Sequence, residues 1–280
     1  MKFLSNSIRK SSLLAAIVGL TFLASSFTAN GQCTEENRAF QGGEIVKFSA
    51  YYNWNFIWMN AGEVTFLANS TLVNGQPAYL LKAVGSTFKG YDFFYSVRDT
   101  FEAIVDTLHL NPSYYKQSSN EGSYNSLQFY WFDYGRNIIK TSVRMEDKPT
   151  EIKEVASQSC TADVLSMVYK TRNMDFSKYS FNDKIPITMI LDGKVENLYV
   201  RYLGIEAVDD RQGRRFMCYK FSPQLPKNAI FEGGEGMIVW ITTDKNRIPI
   251  VVEAKIIIGS VKAVFLDAQN LKYPFDSRIM

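Results

Sequence analysis

Apolar and polar residues alternate along much of this chain with the two-residue period of β-strands. The clearest run carries apolar side chains at every second position, namely Val46, Phe48, Ala50, Tyr52, Trp54, Phe56 and Trp58. Because successive side chains of a strand point to opposite faces of the sheet, this run predicts one long strand, or two strands with a bend. We expect its even-numbered side chains to be mostly buried.

Turn-forming residues separate the apolar runs at intervals of about ten to fifteen residues. The pair Asn74-Gly75 fits the centre of a type I′ hairpin turn, where both residues have positive φ. Further turn signals are Asn111-Pro112, Glu121-Gly122, Asp133 to Gly135, Asp147 to Pro149, Asp192-Gly193, Asp209 to Gly213 and Thr243 to Asn246. The pattern predicts an all-β fold of about a dozen antiparallel strands in a strongly curved sheet or open barrel.

One segment has a helical period. Residues 161–172 place Val164, Leu165 and Val168 on one face, and Thr161 stands where an N-cap is expected. We expect this single main helix to pack into the concavity of the sheet.

The N-terminus has the features of a signal peptide. Basic residues precede the apolar run 13–23, and Ala29 and Gly31 stand three and one positions before a cut at Gln32. The run is shorter than the roughly 20 residues that cross a bilayer, so no span is expected in the mature chain. We therefore expect residues 1–31 to be removed and residues 32–280 to fold as one β-rich domain, in the periplasm or at the outer membrane. Lipidation of Cys33 is disfavoured because Gln32 is not a small residue.

Charge excludes one class of partner. The formal net charge of the whole chain is +3, and the three basic residues of the signal segment, Lys2, Arg9 and Lys10, account for it. The mature chain is therefore near neutrality, without the basic field that nucleic-acid binding requires. The 20 Phe and 16 Tyr residues favour strands and supply a large core.

Several phrases, in their order along the chain, resemble the domain-of-unknown-function family numbered 3108, a group of exported bacterial proteins. They are Gly43-Glu44, Ala61-Gly62-Glu63, Tyr95 to Asp99, Asp163 to Ser166 with Tyr169 and Arg172, Trp240 to Asp244, and Arg247-Ile248-Pro249. The resemblance implies an envelope location and a β-rich fold. It supplies no activity, cofactor or catalytic residue.

Familiar catalytic and metal-binding motifs are absent from the sequence. His109 is the only histidine, and we expect it at a strand end; no Gly-x-Ser-x-Gly motif accompanies it. The segment 209–213 lacks calcium-loop spacing, and the glycine-rich segment 232–236 lacks the Lys-Ser/Thr of a phosphate loop. We therefore expect neither a metal site nor a cofactor.

Carboxylate chemistry stays open, because two acids on distant strands can face one groove. The candidates are Glu44, Glu63, Asp99, Asp163 and Asp244. Asp99 interrupts an apolar row formed by Phe93, Tyr95, Val97, Phe101 and Ala103, so we expect it to be buried and paired, first with Arg172. Arg98 should point to the opposite face. Asp99 is then either half of a structural ion pair or the polar base of a ligand cavity.

The residues selected as candidate ligand contacts are Tyr52, Trp54, Trp58, Tyr95, Asp99, Tyr169 and Arg172. The first hypothesis is a non-enzymatic binding or carrier module for an apolar or amphipathic ligand, such as a lipid or glycolipid. The second is a carbohydrate-active or polysaccharide-processing protein with paired carboxylates. The third is a structural partner in an envelope assembly.

Three cysteines in an oxidising compartment allow one disulfide and one free thiol. We expect Cys33 to pair with Cys160, because both lie outside strands, and Cys218 to be the buried free thiol.

Overall fold

A computed structural model gives the fold of residues 35–280, apart from 55–56, 93–94, 227–232, 257–258 and 280. The side chain of Trp54 is also outside the described part. The predicted signal peptide, residues 1–31, and Cys33 lie outside the described residues. What is described belongs to one compact unit, Gly31–Met280.

Fifteen strands, one α-helix and two 3₁₀ turns make up the described chain. The strands are β1 Glu44–Trp54, β2 Ile57–Val73, β3 Gln76–Thr87, β4 Arg98–Asp106, β5 Pro112–Glu121, β6 Tyr124–Asp133, β7 Ile138–Met145, β8 Glu151–Ala156, β9 Lys184–Leu191, β10 Lys194–Asp209, β11 Arg215–Pro223, β12 Met237–Thr242, β13 Pro249–Lys255, β14 Ser260–Gln269 and β15 Arg278–Ile279. The helix is α1, Val164–Thr171, and the 3₁₀ turns are Lys89–Tyr91 and Phe176–Lys178.

The strands form one antiparallel sheet in the order β8-β7-β6-β5-β4-β3-β2-β1-β14-β13-β12-β11-β10-β9, with β15 paired to β11. The edge strands β8 and β9 are not hydrogen-bonded to each other in the described part, so the sheet stays open. The predicted all-β antiparallel fold is confirmed, with more strands than the dozen expected.

Hairpin turns lie where the turn residues predicted them. Asn74 and Gly75 have φ of 50° and 78°, and Asp192 and Gly193 have φ of 49° and 74°. Both pairs thus have the positive φ values that a type I′ turn requires, and they set the registers of β2 with β3 and of β9 with β10.

The prediction for residues 46–58 was partly wrong. Val46 and Phe48 are buried, but the chain reverses after Trp54, and Trp58 is 36% exposed. In the β1–β2 hairpin Trp58 pairs with Asn53, so it lies on the opposite face from Tyr52, which pairs with Met59. A turn between two strands breaks the parity that a single strand would keep. Phe56 lies outside the described residues.

The helix packs against the concave side of the sheet, as expected. It contacts β3, β4 and β9, and its Leu165 and Tyr169 join a core cluster with residues of β3 to β7. The N-cap prediction was wrong, because Asp163 and not Thr161 caps α1, accepting a hydrogen bond from Ser166 N at 2.9 Å. A carboxylate at the N-cap also complements the helix dipole.

The helix side defines the inner face of the sheet; the opposite side is its outer face. One cross-strand row on the inner face is formed by Phe48, Val64, Gly85 and Asp99. Glu44 lies on β1 four residues before Phe48, on one side of this row. We call the end of the sheet around Glu44 and the C-terminus of α1 the closed end. We call the end that carries Asp99 and the β5–β6 turn the open end.

None of the described helices is long and apolar enough to cross a membrane.

Candidate functional site

Two polar rows run along the inner face of β5 and β6. On β5 the Tyr115 hydroxyl donates to Gln117 Oε1 at 2.9 Å, and Gln117 Nε2 donates to Ser119 Oγ at 3.1 Å. On β6 the Tyr130 hydroxyl donates to Gln128 Oε1, and Gln128 Nε2 donates to Ser126 Oγ at 3.2 Å. Each residue faces its counterpart across the hairpin, so the rows mirror each other.

The β9–β10 turn covers the deep part of these rows. Gln128 Nε2 donates to Asp192 Oδ1 at 2.9 Å, and Gly193 N donates to the Tyr130 hydroxyl at 3.1 Å. The rings of Tyr115 and Tyr130 stack at 5.2 Å. Partners of this kind satisfy buried polar atoms, so this part of the network is structural.

At the open end the β5 row leads to two acids. Asp99 of β4 lies level with Ser119, and its Oδ1 accepts a hydrogen bond from Asn120 N at 3.0 Å. Glu121 bridges to Val97, the inner-face neighbour of Asp99. A hydrogen bond between the two carboxyl groups is among the causes that raise the pKa of Asp99, and such a bond requires one of them to hold a proton.

The raised pKa values of the pair indicate that one of the two carboxyls holds a proton near neutral pH. Burial, followed by the charge of Glu121, raises the pKa of Asp99 to about 7. Burial also raises the pKa of Glu121. Two carboxyls in one partly desolvated place cannot both ionise at ordinary values, so they titrate as a pair.

Aromatic side chains border the acid pair. Tyr95 is 46% exposed, and burial of its hydroxyl, with Glu121 and Asp99 nearby, raises its pKa. Its ring lies against Gly122, where a Cβ would meet Tyr95 Cε2 at 2.9 Å and where φ is +58°. Glycine is therefore required at this turn for two reasons, the positive φ and the close approach of the Tyr95 ring. Tyr124 pairs with Glu121 on the other side.

Apolar side chains continue the same end of the inner face on β1, β2 and β14. Tyr52 pairs with Met59 and with Val261, and Ile57 follows Met59 on this face. Ile57 is exposed. Trp58 lies on the outer face instead, with Lys262 Nζ 4.4 Å from its ring centroid.

Arg172 is not the partner of Asp99, contrary to our expectation. It is 5% exposed and forms a bidentate ion pair with Glu44, 1% exposed, through Nη1–Oε1 at 2.6 Å and Nη2–Oε2 at 2.9 Å. Phe40 and Tyr169 flank its guanidinium at 5.4 and 5.5 Å. Burial opposes the charge, but Glu44 outweighs it and raises the pKa of Arg172. Arg172 lies at the C-terminus of α1 and Asp99 at the other end of the sheet, which explains the error.

The same guanidinium ties the closed end together. Arg172 Nε and Nη2 donate to Asn246 O at 3.2 and 2.9 Å, and Asn246 Nδ2 donates to the carbonyls of Tyr273 and Pro274. Asp244 accepts from Thr242 Oγ1 at 3.0 Å and from Asn246 N at 2.9 Å. The helix, β1, the β12–β13 turn and the C-terminal segment thus meet at one buried network.

The remaining polar candidates have structural partners or are exposed. Asp163 is fully buried as the N-cap of α1, and burial raises its pKa to about 6. Burial lowers the pKa of Lys170 to about 8, and its Nζ donates to His109 O at 2.7 Å. Glu63 is exposed. His109 lies in the turn between β4 and β5, as expected.

Six of the seven candidate ligand contacts fall into separate places, and the side chain of the seventh, Trp54, lies outside the described part. Tyr95 and Asp99 lie together at the open end, Tyr52 on the same face three strands away, and Trp58 on the outer face. Tyr169 and Arg172 lie together at the closed end. Asp99 is half-buried rather than buried, and Arg98 is exposed and pairs with Asp92 at 2.6 Å, away from Asp99 as predicted.

Sequence reasoning missed Glu121, Tyr124 and the polar rows. The available signal was the mirrored spacing of Tyr115, Gln117 and Ser119 against Ser126, Gln128 and Tyr130 about the Glu121-Gly122 turn. Polar residues at every second position are typical of a solvent-facing side of a strand, and only the position of α1 shows that these face inward.

Within the described ranges, no group of His, Cys, Asp and Glu side chains could hold a metal ion. Cys218 is a free, buried cysteine, and burial raises the pKa of its thiol to about 12. Cys33 lies outside the described residues, so its pairing with Cys160 stays a prediction.

Comparisons with known proteins give a family and a fold. The family model described as "Protein of unknown function (DUF3108)" matches residues 47–265. No curated protein matches. Among solved structures, the chain is similar to a β-barrel-like protein of domain of unknown function DUF1849 from Brucella abortus, with 7% identity, a TM-score of 0.51, and 83% of this chain and 99% of that chain covered. At this identity the likeness concerns the fold alone.

Proposed function

The chain belongs to the DUF3108 family of proteins of unknown function, and from that premise we propose that it is a non-enzymatic envelope module that binds an amphipathic ligand, such as a glycolipid, at the open end of its sheet. The observation that carries the proposal is the pair Asp99–Glu121. A proton-sharing carboxyl pair lies between two tyrosines on a face that turns apolar a few strands away.

The acid pair suits a polar, uncharged head group. A protonated carboxyl donates a hydrogen bond and its partner accepts one, which together satisfy a sugar hydroxyl. The rings of Tyr95 and Tyr124 on either side offer stacking surfaces for the apolar face of a sugar. Of the residues selected from sequence, Tyr95, Asp99 and Tyr52 are the ones we keep as contacts.

The apolar part of the ligand would lie toward β1. Strands β4 and β1 are separated by β3 and β2, which at the usual spacing of strands is about 14 Å. Tyr52, Ile57 and Val261 supply apolar surface there, and Ile57 is exposed. A ligand with a polar head and a hydrocarbon chain of that length matches both regions.

The geometry favours binding over glycoside hydrolysis. The two carboxyls of a glycosidase are kept about 5 Å or more apart, to leave room for the substrate or a water molecule. Asp99 and Glu121 instead hydrogen-bond to each other. A pair in direct contact positions one proton but does not flank a glycosidic bond.

Export is part of the proposal. The N-terminal pattern, with cleavage near Gly31, would place the mature chain in the periplasm or at the outer membrane. In that oxidising compartment Cys33 and Cys160 would form a disulfide.

Native mass spectrometry of the protein purified from its own envelope tests the proposal. We expect a retained small molecule of amphipathic mass on the wild type, and its loss from Asp99→Ala and from Tyr95→Ala. Glu63→Ala, an exposed acid of β2, is the matched control and should keep the adduct.

An envelope preparation in which the wild type carries no small molecule, or carries only a protein partner, would contradict the proposal. So would an adduct that survives Asp99→Ala and Tyr95→Ala alike.

A further inference from the structure

A band of apolar side chains crosses the outer face of β4, β5 and β6. Ile104 pairs with Tyr114, Tyr114 pairs with Trp131, and Phe129 is the next outward residue on β6. We call these four residues the aromatic band. Trp131 is 40% exposed, so solvent reaches the band. None of it belongs to the inner face that holds the acid pair.

The rings of the band pack against one another. Phe129 and Trp131 have centroids 5.8 Å apart and planes inclined by 14°. Tyr114 adds a tilted ring 6.1 Å from Trp131. Trp131 is the exposed ring of this cluster, and an exposed aromatic ring offers apolar surface on which the C–H face of a sugar ring packs.

Basic side chains surround the band. Lys116 pairs with Phe129, Lys140 with Trp131 and Arg144 with Leu127, and Lys140 Nζ lies 5.9 Å from the Trp131 ring centroid.

The nearby acids pair with cations, one of which is Lys116 of this rim, with its Nζ 3.9 Å from Glu102 Oε2. Glu102 pairs with Lys82 at 2.9 Å, and Glu154 pairs with Arg136 at 2.9 Å. Lys140 and Arg144 have no acidic partner among the described residues. The rim of the band therefore complements an anionic partner.

Polar side chains beside the aromatic band favour a glycan over a membrane as its partner. Ser142 pairs with Phe129, Ser118 pairs with Leu127, and Glu102 pairs with Lys116. Burial of these groups against lipid would leave them without hydrogen-bond partners, at substantial cost. A polysaccharide supplies hydroxyl groups that bond to them. We propose that the aromatic band is a binding surface for an anionic polysaccharide, independent of the ligand site at the open end.

Affinity electrophoresis of the full protein tests this, with polygalacturonate, neutral dextran or anionic phosphatidylglycerol vesicles as the probe. We expect retardation by polygalacturonate alone. Trp131→Ala should weaken its affinity about tenfold, since one ring surface is lost. Phe181→Ala removes another exposed aromatic side chain, 67% exposed, outside the band and should bind like the wild type.

Lys140→Glu provides a second test that does not depend on removal of a large side chain. It should weaken polygalacturonate binding, and the remaining binding should depend less on salt. The proposal would be overturned if the protein bound dextran as tightly as polygalacturonate, or if it bound the vesicles tightly. It would also be overturned if Trp131→Ala and Lys140→Glu both bound polygalacturonate like the wild type. Absence of polygalacturonate binding by the wild type would also overturn it.

Discussion

The closed end of the sheet buries the carboxylate of Glu44 and the open end half-buries two carboxyl groups, and the two ends balance these acids in opposite ways. At the closed end Glu44 is neutralised by a bidentate arginine that also reaches the Asn246 carbonyl. At the open end Asp99 and Glu121 face each other without a cation between them, and a proton takes that place. The pKa of Arg172 is raised, so its guanidinium keeps its charge at all ordinary pH values, whereas a carboxyl pair changes its charge near neutrality.

This difference separates the end of the sheet that joins parts of the fold from the end where we propose a ligand site. The phrases that carry the family resemblance include Glu44, Arg172 and the segment 240–249, and these meet at the closed end, where they join four parts of the chain. The open end contributes little to that network and leaves polar and aromatic groups partly exposed. Buried charge networks hold parts of a fold together, and acids with raised pKa values at an open edge are typical of binding sites.

The largest change in the free energy of unfolding is expected for Arg172→Ala. Removal of the guanidinium leaves Glu44 buried without a partner, which should lower the free energy of unfolding by about 3–5 kcal/mol. Urea unfolding measures it.

The double variant Glu44→Leu/Arg172→Met is the matched control. It removes both charges and should recover at least half of the loss, because what then remains unpaired is chiefly the Asn246 carbonyl. If Arg172→Ala is as stable as the wild type, the closed end does not have the role that we assign to it.

A second, smaller effect concerns the other end of the same helix. Cys160 precedes α1, and a disulfide with Cys33 should stabilise the chain by about 2–4 kcal/mol against the reduced protein. Alkylation of the native protein without reductant, followed by peptide mapping, should leave Cys33 and Cys160 unmodified. Cys218→Ala should keep the same stability difference between oxidised and reduced protein. Labelling of Cys160 in the native, oxidised chain would refute the pairing.

Most of the secondary structure could be predicted from the sequence, but little of the site. Turn pairs such as Asn74-Gly75 have a local cause, positive φ, and were located correctly. The partner of Arg172 depends on which strand passes the end of α1, and no local pattern contains that information. The face of Trp58 was misassigned because a hairpin turn changed the parity of the strand. Glu121 was taken as a turn residue, and its approach to Asp99 depends on the pairing of β4 with β5.

The smallest change in the free energy of unfolding should come from Asp99→Asn. This change should be stabilising, whereas that of Arg172→Ala is destabilising. The pKa of Asp99 in the folded chain, about 7, lies above its unfolded value. The folded state therefore binds a proton that the unfolded state releases, and the free energy of unfolding falls as the pH rises from about 4 to about 7.

Asparagine removes this dependence. After allowance for partial exposure of the site, Asp99→Asn should be more stable than the wild type by on the order of 1 kcal/mol at about pH 8 and nearly equal to it at about pH 4. Thermal unfolding at both pH values measures the difference. A variant that is destabilised equally at both would indicate that residue 99 is needed as a charged hydrogen-bond acceptor.

Carbon-13 NMR titration of the carboxyl groups of Asp99 and Glu121 tests the central contrast most directly. We predict coupled titration of the two signals, with one step near pH 7, and a lower pKa for Asp99 in Glu121→Gln, because the neighbouring charge is then gone. Independent titration of both groups near about pH 4, as in unstructured peptides, would show that they share no proton and would contradict the account of the open end.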